Sequence, residues 1–548
     1  MHMRVDILLK GGTVIDGTGA AARQADIAIT DDRITAVGDL SSLQAEREIP
    51  VAGLTVCPGF IDAHSHSDAY LLIEPDAPSK LSQGVTTEVN GQCGGSAVPK
   101  LGEARLSSDW ASQTYPIRHI APNGGVSART ADTVGPTWST VASYRALWDA
   151  VRPAINTVQF IGHNTLRAGV MGYAPEQAGP DQIRALRRAL EQALDEGGWG
   201  LSTGLLYQPG KYATPEEVKS LAEVVVAKDG MYATHMRSES ARLLEAVDEV
   251  LDLARATGIQ IQISHLKTSG RSNWEKIEPL LEKLNNARAE GINLHSDRYP
   301  YVAAGTELDI VFPDWAGAGG RDPELARLAD PETRKQIIRE IDASGRDWST
   351  VMIGGAWSDT VAPFSGKTVA EAAETLRLTP GETVCLFVEK DLTRTGGFFF
   401  GMSEANLHRI YEQPWITCGS DASLRAPTGP LGADHPHPRA YGSCPRFFRL
   451  LTGRIDGFAA ICSDEEAIRR MTALPAEIFG LKGRGVIREG AFADLVVLDR
   501  ARFRETATYT HPHRFSEGVE KVFVNGALAY DNGVFTPNRR GRFLERKA

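Results

Sequence analysis

Between Gln182 and Asp297 the chain repeats one unit four times, an amphipathic helix followed by a short apolar strand. Gln182–Glu196 carries Ile183, Leu186, Ala189, Leu190, Ala193 and Leu194 at helical spacing, and Gly197-Gly198 ends it before the strand from Trp199 to Thr203. The helix predicted over Pro215–Lys228 starts on Pro215 behind a Thr214 cap, and Tyr232–His235 follows as a strand. Leu243–Thr257 with Ile259–His265, then Ile277–Glu290 with Gly291–Asp297, complete the series. Such β-α repetition demands a parallel sheet, and this many units favours a closed (β/α)8 barrel. On periodicity alone a doubly wound open sheet also fits. No glycine-rich phosphate fingerprint opens a helix here, which counts against a nucleotide-binding sheet.

The ends of the chain follow a different rhythm. Short alternating segments near 5–10, 13–16, 25–30 and 33–37 are parted by turn residues, and 493–498 and 519–524 repeat the pattern. Asn525-Gly526 is a strong hairpin signal, because both residues tolerate positive φ. We expect residues 1–57 and 481–548 to form one β-rich domain around a barrel spanning 58–480. Residues 303–392 break the β-α rhythm with charged helices (331–343, 368–378) and glycine-rich turns, and read as an insertion on the barrel rim. The irregular stretch Pro99–Thr137 reads as long loops near the mouth.

Charge narrows the partners. Against 59 Lys+Arg stand 69 Asp+Glu, a formal net charge of -10, and no basic run occurs, so nucleic-acid binding has no support. No stretch of about 18 uncharged apolar residues could span a membrane. Charges and glycines interrupt the first residues too early for a secretory signal. Six scattered cysteines suit a reducing compartment rather than a disulfide framework, and the expected setting is cytoplasmic.

Five short motifs carry chemistry. In Val56-Cys57-Pro58-Gly59-Phe60-Ile61-Asp62-Ala63-His64-Ser65-His66, residues i and i+2 of a strand share a face, so His64 and His66 can bind one metal. A bare His-x-His pair is usually a surface feature; the apolar strand and Pro-Gly turn before it raise its weight. Cys93 lies among glycines in Asn90-Gly91-Gln92-Cys93-Gly94-Gly95, with room for close approach, and a thiolate is a good zinc ligand. His235 and His265 end successive predicted strands, and strand C-termini converge on the catalytic face of a barrel. Asp421 closes the short strand Thr417-Cys418-Gly419-Ser420-Asp421, where a carboxylate can ligate metal and take a proton from a metal-activated water.

With these residues the chain resembles the amidohydrolase superfamily and, within it, the N-acyl-D-amino-acid deacylases (D-aminoacylases). The resemblance runs over nearly the whole length, including Gly12-Thr13-Val14-Ile15-Asp16-Gly17-Thr18-Gly19 and Gly485-Val486-Ile487-Arg488-Glu489-Gly490-Ala491-Phe492-Ala493-Asp494. It implies a hydrolase barrel with a small β-sandwich domain built from both termini. It also implies one tightly held zinc on Cys93, His235 and His265, with a weaker second position at His64, His66 and Asp421. Asp421 is the implied base that later protonates the leaving amine. By motif, Tyr207, Lys267, Tyr301 and Arg439 are the implied holders of a substrate α-carboxylate, a role suited to cationic side chains.

Three departures from the family pattern bear on the acyl and side-chain pockets. Leu266 follows His265 where a second histidine is common, Ala422 follows Asp421 where glycine is usual, and 423–435 is long. Glu307 stands in the stretch resembling the side-chain pocket, where its charge would disfavour N-acyl-D-glutamate and D-aspartate; the alternative is that it sits on an exposed loop. The expected reaction is hydrolysis of an N-acyl-D-amino acid to a carboxylate and a free D-amino acid. Hydrolysis of a cyclic amide, as by dihydropyrimidinases, or of a xenobiotic amide is the alternative. A non-enzymatic barrel relative fits poorly, because all six ligand positions are filled. Side-chain and acyl preference, metal count and oligomeric state are not legible.

Overall fold

A computed structural model describes residues 5–105 and 138–546, and between them the backbone of the paired strands His119–Ile120 and Val126–Ser127. The loop expectation for Pro99–Thr137 therefore lies largely outside the described residues.

The helices predicted from periodicity occur close to their expected bounds, as Pro180–Asp195, Pro215–Ala227, Leu243–Thr257 and Ile277–Ala289. Each buries its apolar stripe, for instance Leu186, Leu190, Ala193 and Leu194. Thr214 accepts a hydrogen bond from the Glu217 amide, so it is the cap that Pro215 calls for. Between the helices, Gly200–Gly204, Met231–His235, Gln260–Ile263 and Leu294–Arg298 pair in parallel and in order. Ile416–Cys418 adds to the last of them.

A second parallel group pairs Phe60–Asp62, Val85–Asn90 and Asn156–Gln159. Two junctions connect the groups. The Trp199 amide donates to the Gln159 carbonyl at 2.8 Å, and Ile161–Gly162 continues into pairing with Gly200–Gly204. At the other end the Ala63 amide donates to the Cys418 carbonyl at 3.0 Å, and Ser65 bridges Ala422 in parallel. The C-terminal ends of these strands carry His64, Cys93, His235, His265 and Asp421 to one place.

Both chain ends enter one nine-stranded sheet. Its joint is the antiparallel pair Thr55–Pro58 with Leu495–Leu498, which sets segments far apart in sequence side by side. Asn525 and Gly526 make the expected hairpin at φ 46° and 79°, pairing Val524 with Ala527.

The segment after Tyr301 contains more than the helices and turns expected of it. Ala303–Glu307 and Val351–Ile353 both pair antiparallel with Gly396–Phe400, so this unit runs eight residues past the predicted end at 392. It buries its own cluster around Leu308, Ile337, Ile353, Val384 and Phe387. No helix among the described residues is long and apolar enough to cross a membrane.

Candidate metal centre and substrate pocket

The predicted ligands come together. Cys93 Sγ lies 3.4 Å from His64 Nε2 and 3.3 Å from His265 Nε2. Asp421 Oδ1 lies 3.4 Å from His64 Nε2 and 3.0 Å from His66 Nε2. The His235 ring packs edge-on to His265, with centroids 4.6 Å apart. Neither buried nitrogen of His235 has a hydrogen-bond partner among the described residues, Nε2 standing 3.5 Å from Glu239 Oε2.

These features fit a zinc ion. Across a tetrahedral zinc, a sulfur and a nitrogen ligand stand roughly 3.5 Å apart, close to the Cys93–imidazole separations. The donors are thiolate, imidazole and carboxylate, a set zinc accepts, and the orphaned His235 nitrogens lack a partner that a metal would provide. Backbone conformation marks the same residues. Cys93, His265 and Asp421 all adopt left-handed φ, at 51°, 38° and 49°. Such conformations cost roughly 1–3 kcal/mol each for a non-glycine residue and cluster where side chains must be aimed. At His265 this turn follows directly on the strand, which ends at Ile263 rather than at the predicted His265.

The electrostatics agree. Burial pushes the Cys93 thiol up, but positive charge on His64 and His265 more than reverses this and leaves it well below its ordinary range. Burial likewise raises Asp421, and Arg439 and His265 bring it well below the carboxylate range.

Each imidazole that faces Cys93 has its far nitrogen capped by a carboxylate. His64 Nδ1 lies 3.2 Å from Asp297 Oδ1, and His265 Nδ1 lies 2.9 Å from Glu239 Oε1. Such contacts orient a ligating ring and fix its tautomer. Sequence reasoning missed both carboxylates as site residues. Asp297 had a usable signal, since it lies at the end of a strand like His235 and His265. Glu239 had none, being one acidic residue in the loop after His235.

Among the predicted carboxylate holders, Lys267 Nζ is 2.5 Å from Glu239 Oε1 and 2.7 Å from His265 Nδ1. Arg439 Nη1 donates to Asp421 Oδ2 at 2.7 Å and Nη2 to the Gly305 carbonyl at 3.2 Å. The Tyr207 ring meets His235 edge-on at 4.8 Å. Tyr301 is not brought to this group. Its ring packs on His437 and under Arg446, and its hydroxyl lies where a side chain at Gly442 would stand. Tyr299 takes the central place instead, its ring 4.7 Å from the Arg439 guanidinium and 5.9 Å from Lys267 Nζ. The Tyr299 hydroxyl is buried and has no partner among the described residues. Two tyrosines flanking Pro300 are indistinguishable by spacing, and only the chain's turn after Arg298 separates them.

Known proteins share this organisation. Residues 47–530 match the amidohydrolase family. N-acyl-D-glutamate deacylase of Alcaligenes xylosoxydans xylosoxydans is 34% identical, covering 100% of this chain and 98% of its own. The D-aminoacylase of the same organism is 34% identical over 99% of this chain and 98% of its own. A crystal structure of N-acyl-D-glutamate deacylase from Bordetella bronchiseptica, complexed with zinc and a phosphonate mimic of the tetrahedral intermediate, superposes with a TM-score of 0.78. That enzyme shows 31% identity, covering 99% of this chain and 100% of its own. Given this full-length likeness, together with ligand candidates gathered at the strand ends, the chain belongs to the amidohydrolase family.

Proposed function

We propose that the protein is a zinc-dependent hydrolase of N-acyl-D-amino acids, releasing a carboxylate and a free D-amino acid. One observation carries the reading beyond its relatives' names: two buried cations, Lys267 and Arg439, flank an unpartnered tyrosine hydroxyl beside the ligand cluster. That arrangement suits a substrate carboxylate. A cyclic amide without one would leave the Tyr299 hydroxyl unanswered and the two cations bound only to Glu239 and Asp421.

Cys93, His235 and His265 would hold the tighter zinc, and His64, His66 and Asp421 a weaker position. Zinc in such a site polarises an amide carbonyl and lowers the pKa of water. Asp421 takes the water's proton and passes it to the departing amine. Lys267, Arg439 and Tyr299 hold the α-carboxylate, and Tyr207 closes the side facing His235. We further read the two parallel strand groups as one closed (β/α)8 barrel, supported by the two junctions that connect them. The terminal sheet forms a composite domain beside it. The chain's excess of acidic residues disfavours polyanionic partners.

The test is amine release from paired N-acetyl-D- and N-acetyl-L-amino acids, with and without zinc. Selective, zinc-dependent turnover of the D series is expected. Equal rates for both hands would reject the deacylase assignment while leaving a hydrolase.

A further inference from the structure

Lys80 is fully buried on the short helix Pro78–Leu81, behind the ligand cluster. Five oxygens surround its ammonium. They are Asp62 Oδ2 at 2.8 Å, Ser65 Oγ at 3.0 Å, the Ala422 carbonyl at 3.1 Å, Ser420 Oγ at 3.2 Å and Glu88 Oε2 at 3.3 Å. Burying an ammonium ion is costly unless it is paired and fully hydrogen-bonded, so the surrounding groups are held as firmly as Lys80 itself.

Most of these partners sit beside one subset of the ligand candidates. Ser65 lies between His64 and His66, and Ser420 and Ala422 flank Asp421. Asp62 receives hydrogen bonds from the His64 amide at 3.3 Å and the Ser420 amide at 2.8 Å. Glu88 also holds the Ser65 hydroxyl at 2.9 Å. No Lys80 contact flanks Cys93, His235 or His265. One charged group thus ties the Phe60–Asp62 strand and its His-x-His continuation to the Asp421 loop, across the junction between the first and last parallel strands.

We infer that Lys80 is a positioning residue for the half of the centre made by His64, His66 and Asp421, setting its metal affinity separately from the half made by Cys93, His235 and His265. The inference rests on the two-position reading above. Without the ammonium, Asp62 and Glu88 repel each other, the two segments part, and His64, His66 and Asp421 lose their common focus.

The experiment measures zinc binding to the whole protein by competition with chelators, for wild type, Lys80→Met, Ser420→Ala and Leu284→Ala. Ser420→Ala removes one of the links and is the milder change should Lys80→Met fold poorly. Leu284→Ala, in the core under the outer helix Ile277–Ala289, controls for general destabilisation, with melting temperatures recorded for all. Groups supporting ligands in this way typically change metal affinity about 10- to 100-fold. The expected result is a second zinc equivalent weakened at least about tenfold in Ser420→Ala, and in Lys80→Met if it folds, with the first unchanged. Leu284→Ala should retain both. The inference is overturned if the variants bind both equivalents as wild type does, if they lose both alike, or if Leu284→Ala loses the second to the same degree. A wild type that takes up only one equivalent would instead overturn the two-position reading itself.

Discussion

Asp297→Asn tests how the centre is held with almost no change of shape. Asp297 is fully buried and accepts three kinds of donor. The His265 amide reaches Oδ1 at 2.9 Å, Gln262 Nε2 reaches Oδ2 at 2.9 Å, and His64 Nδ1 lies 3.2 and 3.3 Å from the two oxygens. In the asparagine variant the backbone amide of His265 keeps the carbonyl oxygen at the Oδ1 position, so an NH2 group replaces Oδ2. Gln262 can answer by turning its amide over, because its Oε1 has no partner among the described residues. His64 keeps Oδ1 at 3.2 Å but has the new donor in place of Oδ2, 3.3 Å from Nδ1. That donor opposes Nδ1–H and favours moving the proton to Nε2, the nitrogen that faces Cys93 and Asp421. The proton on Nε2 removes the lone pair a metal needs. A lost charge-assisted bond, or a mispaired buried donor, costs about 1–3 kcal/mol, or about 5- to 150-fold in affinity. Chelator competition should therefore show zinc binding weakened within that range, and weakened chiefly in the His64 half. Zinc affinity within twofold of wild type for every equivalent would refute the tautomer argument.

Further outcomes follow from the same geometry. Asp421→Asn should lower kcat by about 100- to 10,000-fold while the tighter zinc stays bound, as measured by steady-state kinetics and metal analysis. Lys267→Met should reduce kcat/KM for an N-acetyl-D-amino acid by about 10- to 150-fold, and the deficit should shrink for an N-acyl amine lacking the carboxylate to the part that comes from its contacts with Glu239 and His265. Glu307→Gln should raise turnover of N-acetyl-D-glutamate relative to a neutral substrate, since Glu307, though exposed, places a negative charge that Tyr207 feels. Burial, then the charge of Asp309, lifts Glu324 from its ordinary 4.5 to about 9. The folded state therefore keeps a proton that the unfolded chain releases, and stability falls as pH rises between those values. Glu324→Gln, which mimics the protonated form, should raise the melting temperature near the top of that window and leave it unchanged below 4.5.

The parts of this protein legible in its sequence are those that local chemistry determines. A helix is announced by Thr214-Pro215 and by the spacing of Leu186, Leu190 and Leu194, because capping and amphipathicity act within a few residues. The candidate metal ligands are legible for a related reason. His235 and His265 recur at the ends of successive strands, and a parallel sheet turns that recurrence into proximity. Tyr299 and Tyr301 cannot be told apart by spacing, which does not reveal which way the chain turns after Arg298. Gly396–Phe400 has no sequence signal because its neighbours, Ala303–Glu307 and Val351–Ile353, lie more than 40 residues away, and an antiparallel strand that opens on two glycines has little local signature. Asp297, Glu239 and Lys80 form a harder class. Each is an ordinary charged residue whose meaning comes from what it touches: His64 across 233 residues for Asp297, Ser420 across 340 for Lys80. Candidate ligands can be read from residue type, since few side chains bind zinc. The groups that aim them are harder to read, since any carboxylate or ammonium will serve once the fold has brought it there, and of these three only Asp297, at a strand end like His235 and His265, carries a signal. The sequence therefore conveys which atoms can do the chemistry, and the long-range pairing conveys why they point at one another.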